Sequence, residues 1–155
     1  MEYLMTYGWA LLVIVIVIAI LLIMNPFSAP QSCKFDQIGF ACNNIAVTNQ
    51  TLLGSFTNGN NNAIKIYAVN CTKSSAAQPA TPVVSSGASP IGEIGRQGAF
   101  EFTTAAGSHK ISCPDASTTA GTDFSGKIWV FYKNSEDGTD YPVRVVSANL
   151  VTKTL

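Results

Sequence analysis

Charge is scarce in this chain: 9 Lys and Arg balance 9 Asp and Glu, and together they make up only 12% of 155 residues. That is about half the share of an ordinary soluble domain. With no basic excess there is no electrostatic footprint for nucleic acid. The sequence has no Gly-rich phosphate loop, no Gly-x-Ser-x-Gly, no paired histidines and no Cys-x-x-Cys. The usual signatures of phosphoryl transfer, nucleophilic hydrolysis and zinc binding are therefore missing. Histidine occurs once, as His109. With Ser108 and Asp115 it makes up a triad's inventory, but in a Gly/Ser loop without a nucleophile elbow. The acidic residues Glu136, Asp137 and Asp140 lie in a turn where solvated charge is the plain reading, and no EF-hand pattern supports calcium there. The expectation is a chain with no catalysis, cofactor or metal.

What is abundant is apolar: hydrophobic residues reach 47%, and they are unevenly spread. From Tyr3 to Met24 everything is apolar except Thr6 and Gly8, while residues 26–155 hold every charge except Glu2. This excludes an ordinary cytosolic enzyme and also wholesale disorder. As a helix, residues 3–24 would extend roughly 33 Å, enough to cross a bilayer's hydrocarbon. Residues 11–23 hold twelve Leu, Ile or Val, which favour insertion by about 4–7 kcal/mol. The Val13–Ile18 run would suggest a strand in water, but a lone segment in lipid satisfies its backbone only as a helix. Pro26 ends it, giving a helix over residues 2–25. A cleaved secretory signal fits poorly, since the flank is acidic and aromatic and the apolar core too long. A plain anchor remains open. Glu2 is the oddity, an acidic group at the start of the apolar run with no Lys or Arg within thirty residues. Burying it calls for a cationic partner, which polymerised helices could provide as a neighbour's amino terminus.

The segment Glu2-Tyr-Leu-Met-Thr-Tyr-Gly-Trp-Ala-Leu-Leu-Val-Ile-Val15 resembles the N-terminal segment of archaeal type IV pilin-like proteins, those with a class III signal peptide. The likeness covers the first 25 or so residues. It implies processing of a basic leader by a prepilin peptidase, handling by a pilus assembly machinery, and mature helices packed into a filament core. The family's glutamate corresponds to Glu2. The basic leader and the glycine ahead of its cleavage point are not in this sequence, so its first residue is expected to lie inside or near the mature start.

After Asn25-Pro26 the composition shifts to Gly, Ser, Thr, Asn and Ala, without helical periodicity. Short β-rich runs at Lys34–Phe40, Asn44–Asn49, Thr51–Thr57, Ala63–Val69, Pro82–Ser85, Ala99–Thr104, Lys127–Lys133 and Tyr141–Thr152 alternate with turn signals. Lys127–Lys133 is apolar on both faces and reads as a central strand covered on both sides. Seven or eight such strands predict an immunoglobulin-like antiparallel β-sandwich. The whole is α+β: a membrane or filament-core helix over 1–25 and an extracellular head over 26–155, long enough to fold alone.

Cys33, Cys42, Cys71 and Cys113 all follow the apolar helix. An even number outside the membrane predicts two disulfides, with three connectivities open. Cys33–Cys42 and Cys71–Cys113 are favoured, the first stapling neighbouring strands and the second tying a strand end to a distant loop; free thiols are the alternative. Loop-closure entropy assigns them roughly 3 and 4 kcal/mol. Asn49-Gln-Thr51 and Asn70-Cys-Thr72 fit the N-glycosylation sequon. Asn49, at an expected turn, is the better acceptor.

The leading expectation is a structural pilin on the cell surface. It would start inserted in the membrane, then assemble as a homopolymer through its helices, and serve in adhesion. An archaellum-type motility filament is a variant of it. A monomeric single-span surface protein with a binding module is the second class, and a secreted enzyme behind an anchor the third.

Overall fold

The computed structural model describes residues 2–24, 30–85, 88–104 and 109–155, with the Glu2 side chain left out. Helix α1 spans Glu2–Met24, and from Tyr3 to Met24 every one of its side chains is exposed. Within it Tyr3–Met24 is long and apolar enough to cross a membrane. The β-branched run Val13–Ile18 is helical, as a backbone that must satisfy its own hydrogen bonds in lipid requires. Pro26 lies outside the described residues.

Among the described residues eight strands follow, all paired antiparallel: β1 (Ser32–Phe35), β2 (Phe40–Thr48), β3 (Thr51–Asn58), β4 (Ile64–Lys73), β5 (Gly92–Ile94), β6 (Ala99–Phe102), β7 (Asp123–Asn134) and β8 (Arg144–Lys153). They form a five-stranded sheet in the order β1-β8-β7-β4-β5 and a three-stranded sheet in the order β2-β3-β6. The chain is thus one N-terminal apolar helix followed by antiparallel sheets.

Three expected strands need correction. Lys34–Phe40 is not one strand, because the chain turns at residues 36–39, with Gly39 at φ 98, and Phe40 opens β2. The strand expected at Asn44–Asn49 begins earlier, at Phe40. It passes through a bulge between Asn43 and Ala46 that puts Asn44 at φ 47. Gly54 sits against that bulge at φ 120, where a Cβ would come 2.6 Å from the Asn44 carbonyl oxygen, so only glycine fits there. Pro82–Ser85 is not a strand. A proline donates nothing to a ladder, and the edge of β4 is taken instead by Gly92–Ile94.

Side chains of both sheets meet in one buried cluster that includes Phe35, Val47, Leu52, Phe56, Ile64, Ile66, Val130, Val146 and Leu150. Aromatic rings touch from sheet to sheet: Phe40 lies 5.2 Å from Tyr132, and Phe35 lies 5.7 Å from Phe56. Strand β7 is central in its sheet and covered on both faces. Ile128, Val130 and Tyr132 join the cluster, while Trp129, Phe131 and Lys133, alternating with them, are also buried. Between β4 and β5, Val84, Ser85 and Ala88 share a cavity with Lys65, Tyr67 and Lys133, Ser74 N–H bonds the Ser125 carbonyl, and Ile91 N–H bonds the Ile66 carbonyl.

The register sorts the turns into two ends. Ser32, where the chain enters β1, lies opposite Val151; at that near end lie the Asn49–Gln50 turn and the loop at 114–122. At the far end lie the turn at 36–39 and the loops at 59–63, 95–98 and 135–143.

Candidate functional site

Helix α1 is the largest exposed apolar element among the described residues. Its apolar residues occupy the whole circumference, with no polar stripe to face water, unlike the amphipathic helix of a soluble domain. Glu2 is the first residue of α1. Its side chain, on which the expected pairing with a neighbour's amine depends, lies outside the described residues.

The head carries two disulfides and no free cysteine. Cys33 is bonded to Cys42 with Cα atoms 5.8 Å apart, and Cys71 to Cys113 with Cα atoms 4.9 Å apart. The first staples the consecutive strands β1 and β2, as the sequence suggested, although these lie in different sheets. The second joins β4 to residues 111–113, which lie beside β3: Leu52 N–H bonds the Ile111 carbonyl and Cys113 N–H the Gln50 carbonyl. Each bond therefore crosses between the two sheets.

The two sequons sit in different surroundings. Asn49 is exposed in the tight turn between β2 and β3, at φ 42 beside Gln50 at φ 60, a left-handed conformation that asparagine tolerates. Asn70 is half-buried inside β4, opposite Trp129, next to the bonded Cys71. The Thr72 hydroxyl of its sequon already accepts a hydrogen bond from Trp129 Nε1 at 3.0 Å.

No triad forms from the described residues. The His109 ring packs on Phe100 with centroids 4.8 Å apart, Asp115 accepts a hydrogen bond from the Lys73 N–H at 3.0 Å, and Ser108 lies outside the described residues. Asp137 is likewise committed. One carboxylate oxygen accepts from the Asn134 N–H at 2.8 Å and the other faces Arg144 at 3.4 Å, while Asp140 is exposed. Among the described residues no group of three or more His, Cys, Asp or Glu side chains could hold a metal ion.

Sequence reading missed how far-apart segments lock the far end. Arg144 lies over the Tyr141 ring at 4.7 Å; hydrogen bonding to Tyr141 and the charge of Asp137 raise its pKa above the ordinary value. Burial raises the pKa of the Tyr132 phenol, against the pull of Arg144 and with the push of Asp137. Asp36 accepts from the Ser147 hydroxyl and from Asn149 Nδ2, pinning the turn after β1 to β8. These pairs span up to 113 residues of sequence, and no local pattern announces them. No family model, curated protein or solved structure matches the chain.

Proposed function

We propose that this protein is a structural subunit of an archaeal type IV pilus-like surface filament. The single observation that carries the reading is a helix apolar around its full circumference and exposed from Tyr3 to Met24. Such a surface is at home first in lipid and then against copies of itself. In this reading the helices form the core and the heads coat it, each a disulfide-stapled β-sandwich of immunoglobulin-like kind. The polymer is made by an assembly machinery after a prepilin peptidase has acted. Glu2 neutralises a neighbour's amino terminus, and Asn49 carries an N-linked glycan. The filament serves adhesion, and the chain is non-catalytic.

The length of Tyr3–Met24 equally suits a second reading, a monomeric surface protein held by one span. Electron microscopy of surface filaments, with mass spectrometry of their subunit, separates the two. The pilin reading expects this chain in the filaments, and its recovery only as dispersed monomers in membrane extracts would sink it.

A further inference from the structure

At the far end of the head, Asn60, Asn61, Asn62, Tyr132, Asn134 and Arg144 line a cleft of about 250 Å³. No carboxylate is in that lining. The side-chain amides of the four asparagines and the Tyr132 hydroxyl make no hydrogen bond to the described residues. The Tyr132 ring is buried, while its hydroxyl keeps access to solvent at the cleft. Its raised pKa keeps the phenol protonated, hence a donor. Arg144 supplies further N–H groups, and its charge is offset by Asp137 at 3.4 Å.

The cleft is also held in shape before any ligand arrives. Asn58, fully buried, donates from Nδ2 to the Asn62 and Gly95 carbonyls at 2.9 and 3.1 Å and accepts from the Asn60 N–H at 3.1 Å. On the opposite wall Asn134 is fixed by the Asp137 carboxylate on its N–H. Preorganised groups spend little on ordering when a ligand binds.

An amide offers a donor and an acceptor side by side, the pattern that neighbouring hydroxyls on a sugar ring present in return. The volume lies just below the roughly 300 Å³ at which drug-sized sites begin, so it suits one small unit. We propose that this cleft binds a pyranose unit of a neutral glycan through the asparagine amides, the Tyr132 hydroxyl and Arg144. The inference rests on the adhesion reading, in which many copies of one weak site along a filament add up to firm attachment.

The test uses the full chain, isotope-labelled, in micelles of a detergent without a sugar headgroup. It is titrated with the methyl glycosides of glucose, galactose, mannose and N-acetylglucosamine, and separately with inorganic phosphate. At least one glycoside should shift the asparagine side-chain amide signals in nuclear magnetic resonance saturably, while phosphate should not. Asn61→Ala should weaken binding roughly fivefold, the loss of one neutral hydrogen bond, and Tyr132→Phe, which keeps the ring packing, should do the same. No saturable shift with any glycoside, saturation by phosphate alone, or unchanged affinity in both variants would overturn the proposal. Filaments are scored separately by electron microscopy and should form normally with Asn61→Ala. Failed binding with intact filaments removes only the cleft assignment. Binding in micelles without filaments removes only the filament reading.

Discussion

Phe56 is fully buried and meets four other phenylalanines, Phe35, Phe40, Phe100 and Phe102, with ring centroids 5.6–6.2 Å away. Phe56→Ala should cost about 3–5 kcal/mol, read as a lowered denaturation midpoint. Among single residues Glu2 and Asn49 test the proposed function. Glu2→Ala should leave the protein in the membrane yet stop filament growth, and normal piliation by that variant would reject the pairing role. Asn49→Gln should remove a glycan's mass from the intact subunit, whereas Asn70→Gln should remove none, since Asn70 sits inside a strand beside a bonded cysteine. Tyr132 sets a pH dependence. Its folded pKa lies above the unfolded value near 10, so above that pH the unfolded chain binds fewer protons and stability falls. Its contribution is complete below about pH 10 and is lost as pH rises through the folded pKa. Tyr132→Phe should flatten that alkaline slope in melting curves.

At the scale of elements, the disulfides differ in what they close. The Cys71–Cys113 bond spans 42 residues and Cys33–Cys42 spans 9, so loop entropy ranks the first as worth about 1 kcal/mol more. Replacing Cys71 and Cys113 with alanine should therefore lower the melting temperature further than replacing Cys33 and Cys42. Helix α1 was legible because the sixteen consecutive apolar positions Trp9–Met24 leave a chain few choices. Strands β3 and β7 were legible because Thr51–Thr57 and Lys127–Lys133 combine β-branched or aromatic residues with clear turns. The failures are instructive in the same terms. Val83-Val84 has strand propensity, but Val83 is 96% exposed and pairs with nothing in a ladder. Strand β5 is three residues with a glycine, and only its pairing with Ile64–Ile66 makes it a strand. The far-end cleft draws on residues 60–62, 132, 134 and 144, which lie far apart in the sequence. Only tertiary register unites them.

The molecule as a whole divides into a helix long and apolar enough to cross a membrane and a head with its own core and 9 basic against 8 acidic side chains. A chain lacking residues 1–25, made under oxidising conditions, should fold as a β-rich monomer and never form filaments. Ordered filaments of the head alone would mean that subunits hold each other by their sheets, and a helical circular-dichroism spectrum would contradict the fold. The position of Cys33 has a mechanical consequence. Tension on α1 would enter the head at Ser32, the first residue of an edge strand only four residues long, and such a strand peels from its neighbour one hydrogen bond at a time. Cys33 lies one residue further on and is clipped to Cys42 in the other sheet. The pull is handed across both sheets before β1 can unzip beyond its first residue, and the stretch between the two cysteines is shielded from load. A tether is thereby fastened to an edge strand of each sheet instead of to one short edge strand alone.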